Sequence, residues 1–320
     1  MKILVFFPFS PEQIADFTDL AGSLGDHEVL HADCEEEASR LAPGCEVILG
    51  HFPKSVTDAT GNLRWIQSFS AGMDKFLYPA VIERDEVVVT NMAGLYAPQG
   101  GEHAWGLLLA LARGLPPSIR NMGDRSWGGD SRPVIELTGS TLGLIGLGGF
   151  GLETLQRAAG YDMRVLALDP VRLEPPAGVE EVRSPTSTNL HWLLAAADAV
   201  IVGCPLTADT RHMIGADELA AMKETAYLIC VSRGGIIVED ALADALGSGG
   251  IAGAGLDVVE AEPLGADSPL WDAPNLILTP HRAGASQHRP RKTFEFFRDN
   301  LGRYLRGEPL VNVVDKRRGF

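Results

Sequence analysis

One stretch restricts the possible folds of this chain more than any other: Thr141-Leu-Gly-Leu-Ile-Gly146-Leu-Gly148-Gly-Phe-Gly151, leading into an amphipathic run over 152–159. An apolar strand that breaks on a glycine, turns through G-x-G-x-x-G and enters a helix is the first βα turn of a dinucleotide-binding unit. Gly146 makes the tight turn, Gly148 lets a pyrophosphate approach the backbone, and Gly151 lets the helix pack closely. Together with Gly149 and Phe150, they bring the N–H groups and positive dipole of the helix N-terminus to bear on phosphate. Asp169 closes the next apolar run roughly 20 residues on, where a carboxylate can meet the adenosine ribose. A glycine-rich turn that binds nothing is the bland alternative. The strand before, the helix after and the acid beyond all weigh against it.

Apolar runs alternate with helical ones through the rest of the sequence. Strand-like runs fall at 2–7, 46–49, 65–69 and 86–90, and a second series at 141–146, 164–169, 199–204, 227–231, 254–259 and 276–279. They are apolar on both faces, as parallel strands covered by helices are, and the alternation means βαβ units. With 320 residues the chain exceeds what one core usually serves, so two α/β lobes are expected. The Gly- and Pro-rich stretch 94–101 reads as a hinge before a helix over 102–113, and 114–137, with Trp127, as an irregular arm. A last helix over 289–306 puts Phe294, Phe297, Leu301 and Leu305 on one face, suited to packing back on the first lobe.

Composition excludes several functions. The 27 basic residues face 42 acidic ones, a net charge of −15, which argues against nucleic acid or an anionic membrane as the main partner. The longest apolar stretch, 104–112, is far short of a membrane span. Pro8 and Pro11 interrupt the apolar N-terminus before signal-peptide length, so a cytoplasmic protein is expected. Cys34, Cys45, Cys204 and Cys230 lie far apart with no C-x-x-C pair, which fits reduced thiols and no metal site.

Three later stretches set charged or titratable side chains at strand ends, where α/β sheets bind ligands: Ile229-Cys-Val-Ser-Arg233-Gly-Gly, Gly255-Leu-Asp257-Val-Val-Glu260-Ala-Glu262-Pro-Leu, and Leu278-Thr-Pro-His281-Arg-Ala-Gly. Singly, each has a structural explanation: a surface ion pair, a turn, a satisfied histidine. Together, downstream of a dinucleotide loop, they suggest chemistry.

With these stretches in place, the sequence resembles the D-isomer-specific 2-hydroxyacid dehydrogenases, a family that includes glyoxylate/hydroxypyruvate reductases, D-lactate dehydrogenase and phosphoglycerate dehydrogenase. Ser70-Ala-Gly-Met-Asp74, Glu102-His-Ala, Gly139-Ser-Thr-Leu-Gly143 and Cys204-Pro-Leu-Thr-Ala-Asp-Thr210 complete the likeness, which covers nearly the whole chain. It implies an α/β protein of two doubly wound parallel-sheet lobes. A Rossmann cofactor domain, 99–287, would be inserted in a flavodoxin-like substrate domain, 1–98 plus 288–320, with hinges near 96–100 and 284–289.

The resemblance also implies roles. Arg233, Glu262 and His281 fall on the catalytic triad. Arg233 would hold and polarise the substrate through its fork of donors. His281 would give a proton to the carbonyl oxygen as hydride arrives, and Glu262 would orient its ring. Asp257 matches the residue beside the nicotinamide. Cys204, Pro205 and Thr207 match the loop under the cofactor, and Val231 and Ser232 border it. The N–H groups of Ala71 and Gly72 match a carboxylate cradle, while Phe52 and Tyr96 are candidates for shaping the pocket. Gly149 and Phe150 depart from a usual Arg-Ile, Cys230 from a common Asn, and Arg282 from a small or apolar residue.

An NAD(H)-dependent reductase of small 2-oxo acids, such as glyoxylate or hydroxypyruvate, is therefore expected. A non-catalytic NAD-binding redox sensor or corepressor of the same fold is the rival. Formate dehydrogenase is disfavoured because Glu262 stands where that subgroup carries Gln, and a long-form phosphoglycerate dehydrogenase because no regulatory domain follows residue 310. Asp169 would repel a 2′-phosphate, so NAD(H) is preferred. Arg172 lies close enough in sequence to pair with one, so NADP(H) stays open. The helix over 102–113 is apolar around most of its circumference, which suits a core helix or an interface equally. The family uses this region for two-fold dimers, so a homodimer is expected.

Overall fold

Both series of apolar runs form parallel strands, and the computed structural model, which describes residues 1–128 and 133–320, sorts them into two sheets. The first holds β1 (Lys2–Phe6), β2 (Glu28–His31), β3 (Cys45–Gly50), β4 (Trp65–Ser68) and β5 (Val88–Thr90), in the order β2-β1-β3-β4-β5. This is the flavodoxin-like order. The second holds β6 (Thr141–Ile145), β7 (Arg164–Leu168), β8 (Glu181–Arg183), β9 (Ala199–Val202), β10 (Tyr227–Cys230), β11 (Gly253–Leu256) and β12 (Leu276–Leu278). Its order, β8-β7-β6-β9-β10-β11-β12, is the dinucleotide-binding order with one strand added at the edge. The chain divides into two units, Met1–Tyr96 with Ser286–Phe320, and Ala97–Ala285.

In each unit, alternate residues of a strand feed opposite cores. Leu142, Leu144, Ala199, Ile201 and Ile229 of the second sheet pack with Leu107, Leu108 and Leu111 of helix Ala97–Ala112. Ile145, Val200, Val202 and Leu228 pack on the other face with Leu193 of helix Ser187–Ala196 and Leu242 of helix Glu239–Ser248. A sheet buried on both faces is what two-sided apolar strands require. In the first unit, Phe297 and Leu301 of helix Arg289–Leu305 are fully buried against Ile3, Val5, Val47 and Leu49, with Phe294 and Leu305 beside them.

Three local expectations are corrected. The 94–101 stretch is not a loop throughout, because helix Ala97–Ala112 starts inside it. Gly100 and Gly101 face helix Gly149–Ala158 there, where an added Cβ would lie 2.3 Å from the Phe150 ring and 2.7 Å from Glu153. These two glycines serve close packing of the helix pair. The arm 114–137 contains helix Leu115–Gly123, which starts on a proline-rich turn and buries no residue; part of the arm lies outside the described residues. Trp127, on that arm, is fully exposed. Finally, the helix after the glycine loop begins at Gly149 rather than at 152, so the loop itself supplies its first turn.

Candidate active site

The glycine loop leaves β6 at the point where the order of the second sheet reverses, between β6 and β9, the crevice where such sheets bind ligands. Gly146 has φ +98°, and a Cβ there would come within 2.9 Å of the Cys204 backbone nitrogen. At Gly151 a Cβ would lie 2.1 Å from the Gly146 carbonyl oxygen. Gly148, the N-cap of helix Gly149–Ala158, is different: a Cβ there meets nothing within 4 Å. Two glycines are thus demanded by the chain's own packing. The third keeps an exposed opening over the helix N-terminus, and this cradle fits a dinucleotide's phosphates.

Asp169 sits just past β7 and is 9% exposed. Its Oδ2 accepts the N–H of Leu147 at 2.8 Å, and its Oδ1 those of Val171 and Arg172 at 2.9 and 2.7 Å. The carboxylate therefore stiffens the glycine loop as well as standing where a ribose is expected. Across the crevice, Cys204 follows β9 and is buried, which pushes its thiol up to about 12 and keeps it protonated. The turn after it is closed by Thr210, whose hydroxyl donates to the Pro205 carbonyl at 2.7 Å and accepts the Thr207 N–H at 2.8 Å. Val231 and Ser232, beyond β10, are buried, so what they offer a ligand is backbone.

The three strand-end stretches converge on neighbouring strands. Arg233 follows β10, Glu262 lies beyond β11, and His281 follows β12. His281 Nδ1 and Glu262 Oε2 are 2.8 Å apart, with the His281 side chain 46% exposed. That bond places the proton-bearing Nδ1 on the carboxylate and turns Nε2 outward as the exchanging nitrogen. Arg233 donates to its neighbour's carbonyl, that of Ser232, at 2.8 Å. Gly234 lets this turn press on the next strand end, since a Cβ there would fall 1.9 Å from the Val259 oxygen.

His281 has φ +51°, a left-handed conformation that a non-glycine residue holds only under constraint. Asp257 supplies the constraint. It is 1% exposed; its Oδ1 accepts the Arg282 N–H at 2.8 Å and the Thr279 hydroxyl at 2.6 Å, and its Oδ2 the Ala283 N–H at 2.7 Å. The N–H of His281 donates to the Asp257 carbonyl, also at 2.8 Å. His103, on helix Ala97–Ala112, closes the network, with Nε2 at 2.8 Å from Thr279 Oγ1 and 3.3 Å from Asp257 Oδ1. Burial alone would raise the pKa of Asp257, but the bonds from His103, Thr279, Arg282 and Ala283 outweigh it and lower the value. Sequence reasoning set Asp257 beside the nicotinamide. The structure shows its carboxylate holding the His281 loop. The roles of His103 and Thr279 in that clamp went unread; a histidine on an otherwise apolar helix face was the available signal.

In the first unit, the turn after β4 carries Ala71 and Gly72. Asn91 donates to the Ala71 carbonyl at 2.9 Å and the Ser70 hydroxyl to that of Gly72 at 2.8 Å. With both carbonyls tied down, the turn's remaining polar edge is its N–H groups. Phe52 and Tyr96 are both buried in this unit. Among the described residues, no group of three or more His, Cys, Asp or Glu could hold a metal ion, and no helix is long and apolar enough to cross a membrane.

Residues 105–283 match the family model for the D-isomer specific 2-hydroxyacid dehydrogenase, NAD binding domain. Among curated proteins, the chain is similar to a glyoxylate reductase of Korarchaeum cryptofilum, 36% identical over 268 residues, covering 82% of this chain and 79% of that one. Among solved structures, it is similar to a D-isomer specific 2-hydroxyacid dehydrogenase family protein of Aeromonas salmonicida, with TM-score 0.81, 31% identity and 98% of each chain covered. It is also similar to an NADPH-dependent glyoxylate/hydroxypyruvate reductase of Sinorhizobium meliloti in complex with NADP and sulfate. That match has TM-score 0.79 and 27% identity, and covers 100% of this chain and 99% of the other. The flavodoxin-like and dinucleotide-binding sheets, the glycine cradle and these likenesses agree: the chain belongs to the D-isomer-specific 2-hydroxyacid dehydrogenase family.

Proposed function

We propose that this chain is an NAD(H)-dependent D-2-hydroxyacid dehydrogenase that reduces 2-oxo acids, glyoxylate and hydroxypyruvate among them. The observation that carries this reading is the His281–Glu262 pair, 2.8 Å apart beside the strand end that bears Arg233, on a sheet with an open glycine cradle. NADH, when bound, supplies the hydride. Gly146, Gly148, Gly149, Phe150 and Gly151 hold the pyrophosphate through their backbone, and Asp169 the ribose. The neutral Cys204 and the backbone of Pro205, Thr207, Val231 and Ser232 border the nicotinamide. Arg233 binds the carboxylate and carbonyl of the substrate, and the N–H groups of Ala71 and Gly72 take the carboxylate. As negative charge builds on the carbonyl oxygen, His281 Nε2–H transfers its proton there, with Glu262 fixing the ring in line. Asp257 keeps the His281 loop in its left-handed turn.

We further propose a cytoplasmic homodimer. The four cysteines are unpaired, as a reducing compartment would leave them, and helix Leu115–Gly123 exposes Leu115, Ile119 and Met122 on a face that buries nothing of its own chain. The test of function is NADH oxidation by the purified protein with a panel of 2-oxo acids. His281→Ala should lower turnover by about 10²–10⁴-fold while NADH still binds. A protein that binds NADH and reduces none of the acids would be the non-catalytic sensor instead.

A further inference from the structure

The first unit holds a cavity of about 620 Å³ that the mechanism above leaves without a task. It opens at the carboxyl ends of the strands, where α/β sheets take ligands, with Phe6 closing β1, Ala32 after β2, and His51 and Phe52 after β3. Between β1 and β3 the order of this sheet reverses. Phe76, from the segment after β4, completes the wall.

Much of the lining is rings, with the charged Asp33 and Lys75 beside them, and Phe69 packs on these rings from behind. His51 lies 4.1 Å from Phe69, 5.4 Å from Phe6 and 5.7 Å from Phe7 between centroids; Phe76 lies 5.6 Å from Phe52 and meets Phe69 edge-on at 5.4 Å. Except for Phe52, these rings are only half-buried. Apolar rings gathered at a concave sheet edge and left partly wet gain most when a flat apolar group covers them. Burial pushes the pKa of His51 down, so its ring is neutral and sets no charge against such a group. At the rim, Lys54 is paired with Asp58 and Glu35 accepts the Ser55 hydroxyl. The lining also adjoins the carboxylate cradle in the chain, because Lys75 and Phe76 follow Ser70-Ala71-Gly72 within four residues, and Phe69, which precedes that turn, packs on His51. A volume of this size is far more than the hydrogen of glyoxylate or the hydroxymethyl of hydroxypyruvate needs.

We propose that this cavity receives the substrate's side chain, and that the substrate class extends to 2-oxo acids with an aryl side chain, reduced in preference to glyoxylate. This rests on the reductase reading, with the acid's carboxylate at Ala71 and Gly72. The reaction is unchanged: C2 gains hydride from NADH, the carbonyl oxygen gains a proton from His281, and an aryl 2-hydroxy acid and NAD⁺ leave.

The experiment compares kcat/KM for phenylpyruvate and glyoxylate, in parallel with saturation-transfer NMR of D-phenyllactate in the presence of NAD⁺. Phenylpyruvate should lead by at least about tenfold, and the aryl protons should take up saturation. Phe76→Ala and His51→Ala, both at half-buried positions, should each lower the phenylpyruvate-to-glyoxylate ratio by at least about tenfold. Glyoxylate reduced equally well or better, or a ratio unmoved in both variants, overturns the proposal and leaves the reductase reading standing. Aryl saturation that is lost in Phe76→Ala, with no 2-oxo acid reduced, supports the cavity and removes the reductase reading instead.

Discussion

Replacing Asp257 by alanine tests the clamp on His281. The substitution removes the acceptor of two backbone N–H groups, Arg282 at 2.8 Å and Ala283 at 2.7 Å, and of the Thr279 hydroxyl. All are held by a carboxylate that is 1% exposed, so water replaces it poorly. Losing a partner costs about 2–3 kcal/mol at the buried Ala283 N–H and about 1 kcal/mol at each of the part-buried Arg282 and Thr279 donors, and about 1–2 kcal/mol returns as His281 leaves its left-handed backbone. The expected loss of stability is about 3 kcal/mol, read as a lower urea midpoint at unchanged slope. Activity should fall by about 10²-fold, because an ångström of misplacement at a catalytic group costs that much. Asp257→Asn, which turns an N–H₂ toward donors, should fail in the same direction. The lowered pKa also fixes the acid limb: the contribution of Asp257 is complete above the unfolded value of about 3.9 and is lost as pH falls through the lower folded value. An alanine variant that loses less than about 1 kcal/mol and keeps wild-type kcat would show that the loop holds itself.

Three further outcomes are expected. Gly148→Ala, whose Cβ enters open space, should fold normally yet weaken NADH binding in a fluorescence titration; Gly151→Ala, 2.1 Å from a backbone oxygen, should cost about 1–3 kcal/mol of stability, and equal effects at the two positions would refute the cradle. Steady-state kinetics should give a higher kcat/KM with NADH than with NADPH, since Asp169 repels a 2′-phosphate; the reverse ratio would mean that Arg172 governs coenzyme choice. Light scattering should give twice 34.2 kDa, and Ile119→Asp, on the exposed face of helix Leu115–Gly123, should halve it; a wild-type mass of 34.2 kDa at micromolar concentration would remove the dimer.

What could be read in advance followed from burial. The strands at the heart of each sheet are apolar on both faces, and their runs stand out in the sequence. β2 and β8 do not: each is a short edge strand of partly exposed residues, Glu-Val-Leu-His and Glu-Val-Arg, with no two-sided apolar signal. The start of helix Ala97–Ala112 was hidden for another reason. Pro98, Gly100 and Gly101 have low helix propensity, and only tertiary packing against Phe150 and Glu153 shows why glycine is wanted there. The glycine loop, Arg233, Glu262 and His281 stand out as candidates because their residue types sit at strand ends in recognisable motifs. The part that Asp257 plays in holding the His281 loop was not legible, since no local pattern shows which backbone and hydroxyl donors a strand-end carboxylate will meet.

The contact between Phe150 and Gly100 also limits how this sequence can change. The Phe150 ring occupies the space that any side chain at position 100 would need. The two positions are therefore not independent variables. Gly100→Ala alone drives a methyl into the ring at 2.3 Å, and Phe150→Ala alone leaves a void, yet the two together restore a plausible helix contact. In a double-mutant cycle the pair should be strongly non-additive, with the second substitution repairing the first. In drifting sequences, the acceptable route from one state to the other passes through a smaller residue at position 150 before position 100 gains its side chain.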